Sequence, residues 1–433
     1  MSIRRIHVFM ILNIVLSLYL ITSCDTKERP PNVILIMADD LGYECLGCNG
    51  GESYRTPNLD RLAQNGIRYT NCFSQPLCTP SRVQIMTGKY NHRNYEDFGI
   101  LRPGERTFGH VFQEHGYVTA VVGKWQLFGS KTDSIVFGQG TFPTDAGFDE
   151  YCLWQIDQVG SRYADPLIHW NDTSAQVFEG LYGPDVFFSY IRTFLADQKE
   201  QSFLLYYPMA LPHSPHMPTP GTAAWDTARN STGGRYFGDM VAYMDKIVGQ
   251  IENELKQLGL WENTYILFTG DNGTNRQIQS RFQGTLIPGQ KGIPSYYGTH
   301  VPLIVSGGPV ESKSVVADDL IDFTDFFPTL CGLAGIELNQ WVGDGQRFDM
   351  TFSGGKGSRD WIYSWYYSGK KHLPTAEFAQ NSQFKLYEDG RLFNIREDPG
   401  EQQPLDTNGF SSHDSDQAGL LMSVLENFRS DSL

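Results

Sequence analysis

The chain alternates between short, unbroken hydrophobic runs and longer stretches with helical spacing. Val33–Met37 reads Val-Ile-Leu-Ile-Met with no polar residue between. A strand without inside–outside alternation must be covered on both faces. Val118–Val122, Phe203–Tyr207, Tyr265–Thr269 and Val301–Val305 have the same character and are expected strands. Between them lie helical stretches over Asn58–Asn65, Ser81–Thr87, Thr107–His115, Asp185–Lys199 and Phe237–Leu258. Four of these stop at or near a glycine (Gly66, Gly88, Gly116, Gly259), the residue that most readily ends a helix. Strand–helix alternation predicts an α/β fold with a mostly parallel sheet sandwiched by helices. Beyond about residue 340 the pattern changes. Trp361–Tyr367, Phe384–Tyr387 and Leu392–Ile395 read as short strands separated by turns, a small C-terminal antiparallel β subdomain. The last, polar residues read as helical or frayed, and no internal repeat is present.

The N-terminus follows a different logic. Arg4 and Arg5 precede an apolar stretch, Val8–Ile21, too short to span a bilayer comfortably. It ends Ile21-Thr-Ser-Cys24, and the whole resembles a bacterial lipoprotein signal. That implies removal of residues 1–23, a lipid on Cys24 that anchors the chain to a membrane of the bacterial cell envelope, periplasmic or surface-exposed, and a tether over 24–31. An ordinary secretory signal with a chance cysteine is the alternative.

Composition narrows the function. The 433 residues are 40% hydrophobic and 13% aromatic, which excludes disorder for most of the length. Asp plus Glu is 49 against 34 Lys plus Arg, and a net charge of −15 argues against a nucleic-acid partner. Cys45 and Cys48 have metal-site spacing, but no second such pair follows, and loop thiols are the better reading.

Candidate chemistry sits at the strand ends. The first strand runs into Asp39-Asp40, and Tyr265–Thr269 runs into Asp271-Asn272. In a doubly wound sheet, ligands bind beyond the carboxyl ends of the strands. Three carboxylates and an amide brought together there offer hard oxygen donors for Ca²⁺ or Mg²⁺ rather than zinc. Cys78-Thr-Pro-Ser-Arg82-Val-Gln-Ile-Met-Thr-Gly88 places Cys78 at the start of a helix, where free N–H groups favour an anion.

Cys78–Gly88 resembles the C-x-P-S-R-x4-T-G signature of the formylglycine-dependent (type I) sulfatases. Asn32–Tyr43, Thr56–Ala63, Gly116–Gln126, Leu211–His216, Thr269–Gly273, Gly289–Gly292 and Glu397–Glu401 resemble further motifs of that family, in order, over roughly residues 30 to 405. The resemblance implies an alkaline-phosphatase-like fold, with a catalytic domain over 32–340 and a C-terminal subdomain over 341–433. It implies that a separate maturation enzyme oxidises Cys78 to formylglycine, whose hydrate is the nucleophile. It further implies one Ca²⁺ held by Asp39, Asp40, Asp271 and Asn272 beside Cys78. Arg82 would hold the hydrated aldehyde, Lys124 and Lys291 would grip sulfate oxygens, and His213 would protonate the leaving alcohol. A sulfate ester is a stable anion, so cationic groups and a general acid are what its cleavage needs.

This chain departs from the family pattern at Gln126, where the family has histidine. A Gln amide cannot accept a proton at neutral pH, so breakdown of the sulfated nucleophile is expected to be slow unless another group helps. Asp39, Asp40 and, less directly, His300 are candidates. His92, His110 and His115 read as structural, whereas His169, His300 and His372 are placed to line a pocket. Trp154, Trp365 and Tyr366 are candidates for stacking on a sugar, with core packing the better reading for at least two. The expected activity is hydrolysis of sulfate esters, most readily those of carbohydrates. The alternatives are an arylsulfatase, a phosphonate or phosphodiester hydrolase on the same scaffold, or a non-catalytic lipoprotein that binds sulfated glycans.

Overall fold

The computed structural model describes residues 29–129, 137–368, 373–406 and 409–430. The signal, Cys24 and His372 therefore lie outside the described residues. In chain order the strands are β1 (Asn32–Ala38), β2 (Ile67–Phe73), β3 (Val118–Lys124), β4 (Glu150–Trp154), β5 (Leu167–Trp170), β6 (Gln176–Val177), β7 (Phe203–Pro208), β8 (Thr264–Gly270), β9 (Gln279–Phe282), β10 (Thr285–Pro288), β11 (His300–Gly307), β12 (Val315–Asp322), β13 (Ile362–Tyr366), β14 (Ala376–Gln380), β15 (Phe384–Tyr387) and β16 (Leu392–Asn394). Ten of them form one sheet in the order β12-β2-β11-β8-β1-β7-β3-β4-β5-β6.

The centre of that sheet is parallel: β1 pairs with both β7 and β8, and β3 with β7 and β4. β11 runs antiparallel between β8 and β2, and β5 and β6 make an antiparallel edge. β1 shows why an unbroken apolar run is needed here. Ile34 and Ile36 enter one core together with helices Pro57–Gln64, Gly183–Asp197 and Phe237–Gln257. Val33, Leu35 and Met37 enter a second core, on the other face, with helices Cys78–Thr87, Phe108–Glu114 and Phe326–Leu333. Alternate residues of a strand point to opposite faces, so a strand at mid-sheet must be apolar throughout.

β13–β16 form a separate four-stranded antiparallel sheet, packed against the helix Ser412–Ser430. Glu401 ties this sheet to the rest. Its carboxylate accepts from the Lys385 ammonium at 3.1 Å, the Tyr387 hydroxyl and the backbone N–H of Tyr296 at 2.6 Å. Lys385 and Tyr387 also donate to the carbonyl of Pro294. The turn beyond Lys291 is thereby fixed from below.

From Pro31 onward the described residues form one compact unit. Among them no helix is long and apolar enough to cross a membrane, and the six cysteines are free thiols.

Candidate active site

β1, β3 and β8 end at the same rim of the sheet. β1 delivers Asp39 and Asp40, β8 delivers Asp271 and Asn272, and β3 delivers Lys124. The register fixes this convergence: Ala38 lies opposite Gly270, so the residues that follow must meet. The backbone N–H of Asp271 donates to Ala38 O at 2.9 Å, and that of Asp40 to the Asp271 carboxylate at 2.9 Å. Asp40 takes a left-handed backbone, φ 68°, which an aspartate tolerates better than most residues.

The helix carrying Cys78 begins at Cys78 itself, three residues before the start that Ser81 suggested, and is buried throughout. Its polar residues are anchored internally. Ser81 exchanges hydrogen bonds with the Gln75 backbone, and Gln84 links Gln75 to Asp322. Gly88 ends it with φ 64°, and a Cβ there would meet Trp341 and Phe327 at under 3 Å. Only glycine satisfies both demands, which explains the closing glycine of the motif.

Arg82 projects from this helix with its side chain 2% exposed. It donates to the carbonyls of Lys124 (2.6 Å) and Trp125 (2.9 Å), and its Nε lies 4.0 Å from Asp271. The Lys124 ammonium sits 2.8 and 3.0 Å from the two oxygens of Asp39, both side chains fully buried. Lys291 meets the Asp40 carboxylate at 2.6 Å, and Asn272 donates to it at 3.0 Å. His213 Nε2 stands 3.7 Å from the same group. The other ring nitrogen, Nδ1, is hydrogen-bonded to Ser214 O. A carbonyl only accepts, so Nδ1 carries the proton and Nε2 faces the site unprotonated.

Burial pushes the carboxyls up, but neighbouring charge divides them. Asp39 falls well below the ordinary carboxylate range despite burial, under His213, Lys124, Lys291 and Arg82. Asp40 is lowered against burial by His213 and Lys291. Asp271 is pushed well above it by burial and by the charge of Asp39. Burial holds His213 down at about 3, although Asp39 and Asp40 pull the other way. Lys291 is raised despite burial, mainly by Asp40.

The donor set fits a hard divalent cation. Asp271 Oδ2 and Asn272 Oδ1 are buried without a hydrogen-bond partner, a costly state unless something else binds them. Asp39, Cys78 and Asp271 each bring a ligand atom within 4.8 Å of the others, as do Asp39, Asp40 and His213.

The remaining sequence candidates fall elsewhere. Gln126 follows β3 with φ 52°, held by its backbone N–H to Gln155 O at 2.9 Å; its side-chain amide makes no hydrogen bond among the described residues. His300 is buried between the rings of Tyr43 and Phe73, donates to or accepts nothing from the carboxylates, and bonds Thr70 O at 2.8 Å. It does line a cavity of about 620 Å³, shared with Tyr296 and Arg396. His110 completes the cap of its helix, His115 bonds Val111 O, and His92 packs among Tyr90, Tyr363 and Phe428. His169 lies between Phe142 and Tyr151. Trp154 and Tyr366 are buried, and Trp365 is partly buried against two cores.

Arg162 was not anticipated. It comes from the loop after β4, stacks its guanidinium 3.8 Å over the Trp154 ring and points Nη1 at Asp39, 3.7 Å away. No local spacing marks it in the sequence.

An open, mostly parallel sheet covered by helices on both faces, with buried carboxylates and cationic side chains gathered at its strand ends, is an alkaline-phosphatase-like fold. The chain belongs to the sulfatase family, whose profile matches residues 31–336, and it is a sulfuric ester hydrolase by that membership. Human arylsulfatase A is 31% identical over 75% of this chain and 67% of its own length. Mouse arylsulfatase J is 29% identical over 72% of this chain, which spans about half (53%) of that protein. Among solved structures, Ps i-CgsB in complex with k-i-k-neocarrahexaose aligns with TM-score 0.74 and 23% identity, covering 93% of each chain. BT4656 in complex with its substrate D-glucosamine-2-N,6-O-disulfate aligns with TM-score 0.73 and 22% identity, over 93% of this chain and 98% of that one.

Proposed function

We propose that this protein hydrolyses sulfate esters of carbohydrates, using Cys78 matured to formylglycine by a separate enzyme and one Ca²⁺ ion. The observation that carries the reading is the gathering of Arg82, Lys124, Lys291 and His213 around the buried carboxylates Asp39, Asp40 and Asp271, two of which, Asp39 and Asp271, lie beside Cys78. The carbohydrate is supported by the substrate D-glucosamine-2-N,6-O-disulfate named for BT4656 and the k-i-k-neocarrahexaose in complex with Ps i-CgsB.

Asp39, Asp40, Asp271 and Asn272 would hold the cation, which supplies charge neutralisation at the ester oxygens. The formylglycine supplies, as its hydrate, an oxygen nucleophile at residue 78. Lys124 and Lys291, which lie on Asp39 and Asp40 at 2.8 and 2.6 Å, would grip sulfate oxygens with those carboxylates holding the cation. Arg82 keeps its grip on the end of β3, and its Nε and Nη2, buried without a hydrogen bond and with Nε 4.0 Å from Asp271, would hold the hydrated aldehyde of residue 78. Fixed donors aimed at developing charge are typically the largest part of such catalysis. His213 presents Nε2 to the site. An entering anion raises the proton affinity of that nitrogen, so His213 takes up a proton with the substrate and delivers it to the leaving alkoxide.

Residues 1–23 would be cleaved and Cys24 lipidated, which places the enzyme in the bacterial cell envelope, with residues 32–340 the catalytic domain and 341–433 its C-terminal subdomain. An arylsulfatase activity is the second reading, favoured by the identity to arylsulfatase A. Protein co-expressed with a formylglycine-generating enzyme should release inorganic sulfate from sulfated monosaccharides or glycosaminoglycan fragments. Release from nitrophenyl sulfate alone would favour the second reading. Cleavage of phosphonate or phosphodiester substrates without sulfate release would overturn both.

A further inference from the structure

We propose that Arg162 is a substrate-contacting residue, a fourth cation of the anion cradle that donates to the sulfate group from the β4–β5 loop. The proposal rests on the sulfatase reading above and adds a residue to it.

Three observations carry it. The guanidinium is placed, not loose: its central carbon sits over the Trp154 ring, 3.8 Å from the centroid, and Trp154 is itself fixed by donating to Gly160 O at 2.8 Å. The next residue, Tyr163, donates its hydroxyl to the carbonyls of Ala210 and His213, at 2.6 and 2.5 Å. The loop that carries Arg162 is therefore bolted to the loop that carries His213, and the two side chains approach the same carboxylate rim. Finally, the Arg162 guanidinium is under-used. Its side chain is 13% exposed, its Nη1 is buried without a hydrogen bond, and its nearest anion, Asp39, is 3.7 Å away and already holds Lys124 at 2.8 Å.

A charged nitrogen buried without a hydrogen bond, as Nη1 is, is costly. Asp39 alone does not account for it, because Lys124 satisfies that carboxylate more closely. An anion held between Arg162, Lys124 and Lys291 would give Arg162 Nη1 the partner it lacks. Guanidinium presents a planar fork of donors that suits the oxygens of sulfate, and the contact with Trp154 holds the group in place at the rim.

The test uses the matured, cation-loaded protein and inorganic sulfate as the probe. Sulfate affinity is measured by calorimetry for the wild type, Arg162→Gln, Arg162→Lys and Lys291→Ala. KM and kcat on nitrophenyl sulfate are measured in parallel, with thermal stability as the folding control. Arg162→Gln should weaken sulfate binding by about 10- to 100-fold and raise KM more than it lowers kcat. Arg162→Lys should recover part of the binding. Unchanged sulfate affinity and KM in Arg162→Gln, with Lys291→Ala impaired, would overturn the proposal and leave the sulfatase reading intact. Unchanged affinity in both variants would overturn the anion cradle itself. A loss of thermal stability in Arg162→Gln without any loss of sulfate affinity would assign Arg162 to packing and also overturn the proposal.

Discussion

Replacing Lys124 by methionine keeps the volume and removes the charge at the most deeply buried ion pair of the site. The ammonium lies 2.8 and 3.0 Å from the Asp39 oxygens, and both side chains are fully buried. Removing one partner of such a pair leaves an uncompensated buried charge, at a cost of about 3–5 kcal/mol. Arg162, at 3.7 Å, offsets a part. A divalent cation bound to Asp39 would offset most of the rest, and at about 100 times its dissociation constant it adds roughly 2.7 kcal/mol to any protein that binds it only when folded. The variant should therefore be several degrees less stable than the wild type in chelator, and the gap should narrow as Ca²⁺ is titrated in. Its sulfatase activity should fall by about 10²–10³-fold, the usual effect of losing one preorganised donor. Differential scanning calorimetry with and without Ca²⁺ reads the first effect directly. An equal stability gap in both conditions would mean that no cation sits at Asp39, and the reasoning would fail.

Cys78→Ser should abolish turnover while retaining fold and cation binding, because Cys78 is one buried residue in a helix held by Ser81, Gln84 and Arg82; unimpaired hydrolysis would refute its role. His213→Ala should cost about 10²–10⁴-fold on sugar sulfates and much less on nitrophenyl sulfate, whose leaving group needs little protonation; an equal loss on both would remove His213 from the acid role. His300 is held at about 4 by burial, below the ordinary histidine value. The neutral form is thus favoured on folding, so its contribution is complete above about pH 6.5 and is lost as the pH falls towards 4. His300→Phe should flatten the acid limb of a stability–pH curve in that window, and an unaltered slope would count against the assignment. Cys24→Ala should release the protein from the membrane fraction, whereas native protein that already partitions into water would argue against the anchor.

The central sheet was legible in the sequence because its middle strands are buried on both faces and so are written as unbroken apolar runs. β1, β3, β7, β8 and β11 all have that form. β2 was not, because Ile67–Phe73 interleaves Arg68, Thr70 and Asn71 with its core residues; Arg68 and Asn71 find partners in Tyr43 and Asp318. β5, the edge strand β6 and the hairpin β9–β10 are short, and little in a short polar or aromatic segment separates strand from loop, while β14, Ala-Glu-Phe-Ala-Gln, carries residues that favour helix as much as strand. Candidate residues that sit at strand ends or within contiguous motifs, from Asp39 to Lys291, are legible in order, and the structure brings them together at one rim. Arg162 was not, since it reaches the site through a loop whose path depends on tertiary contacts of Tyr163 and Trp154. His300 shows the converse: adjacent to a motif in sequence, it is turned into an aromatic cluster by its neighbours Tyr43, Phe73 and Tyr296.

The account turns on residue 78. The most direct measurement is the mass of the peptide containing it, taken from protein made with the maturation enzyme and assayed for sulfate release in the same preparation. The account predicts that the thiol is replaced by an aldehyde and that activity scales with the fraction converted. Full sulfatase activity from protein in which residue 78 remains an unmodified cysteine would contradict it.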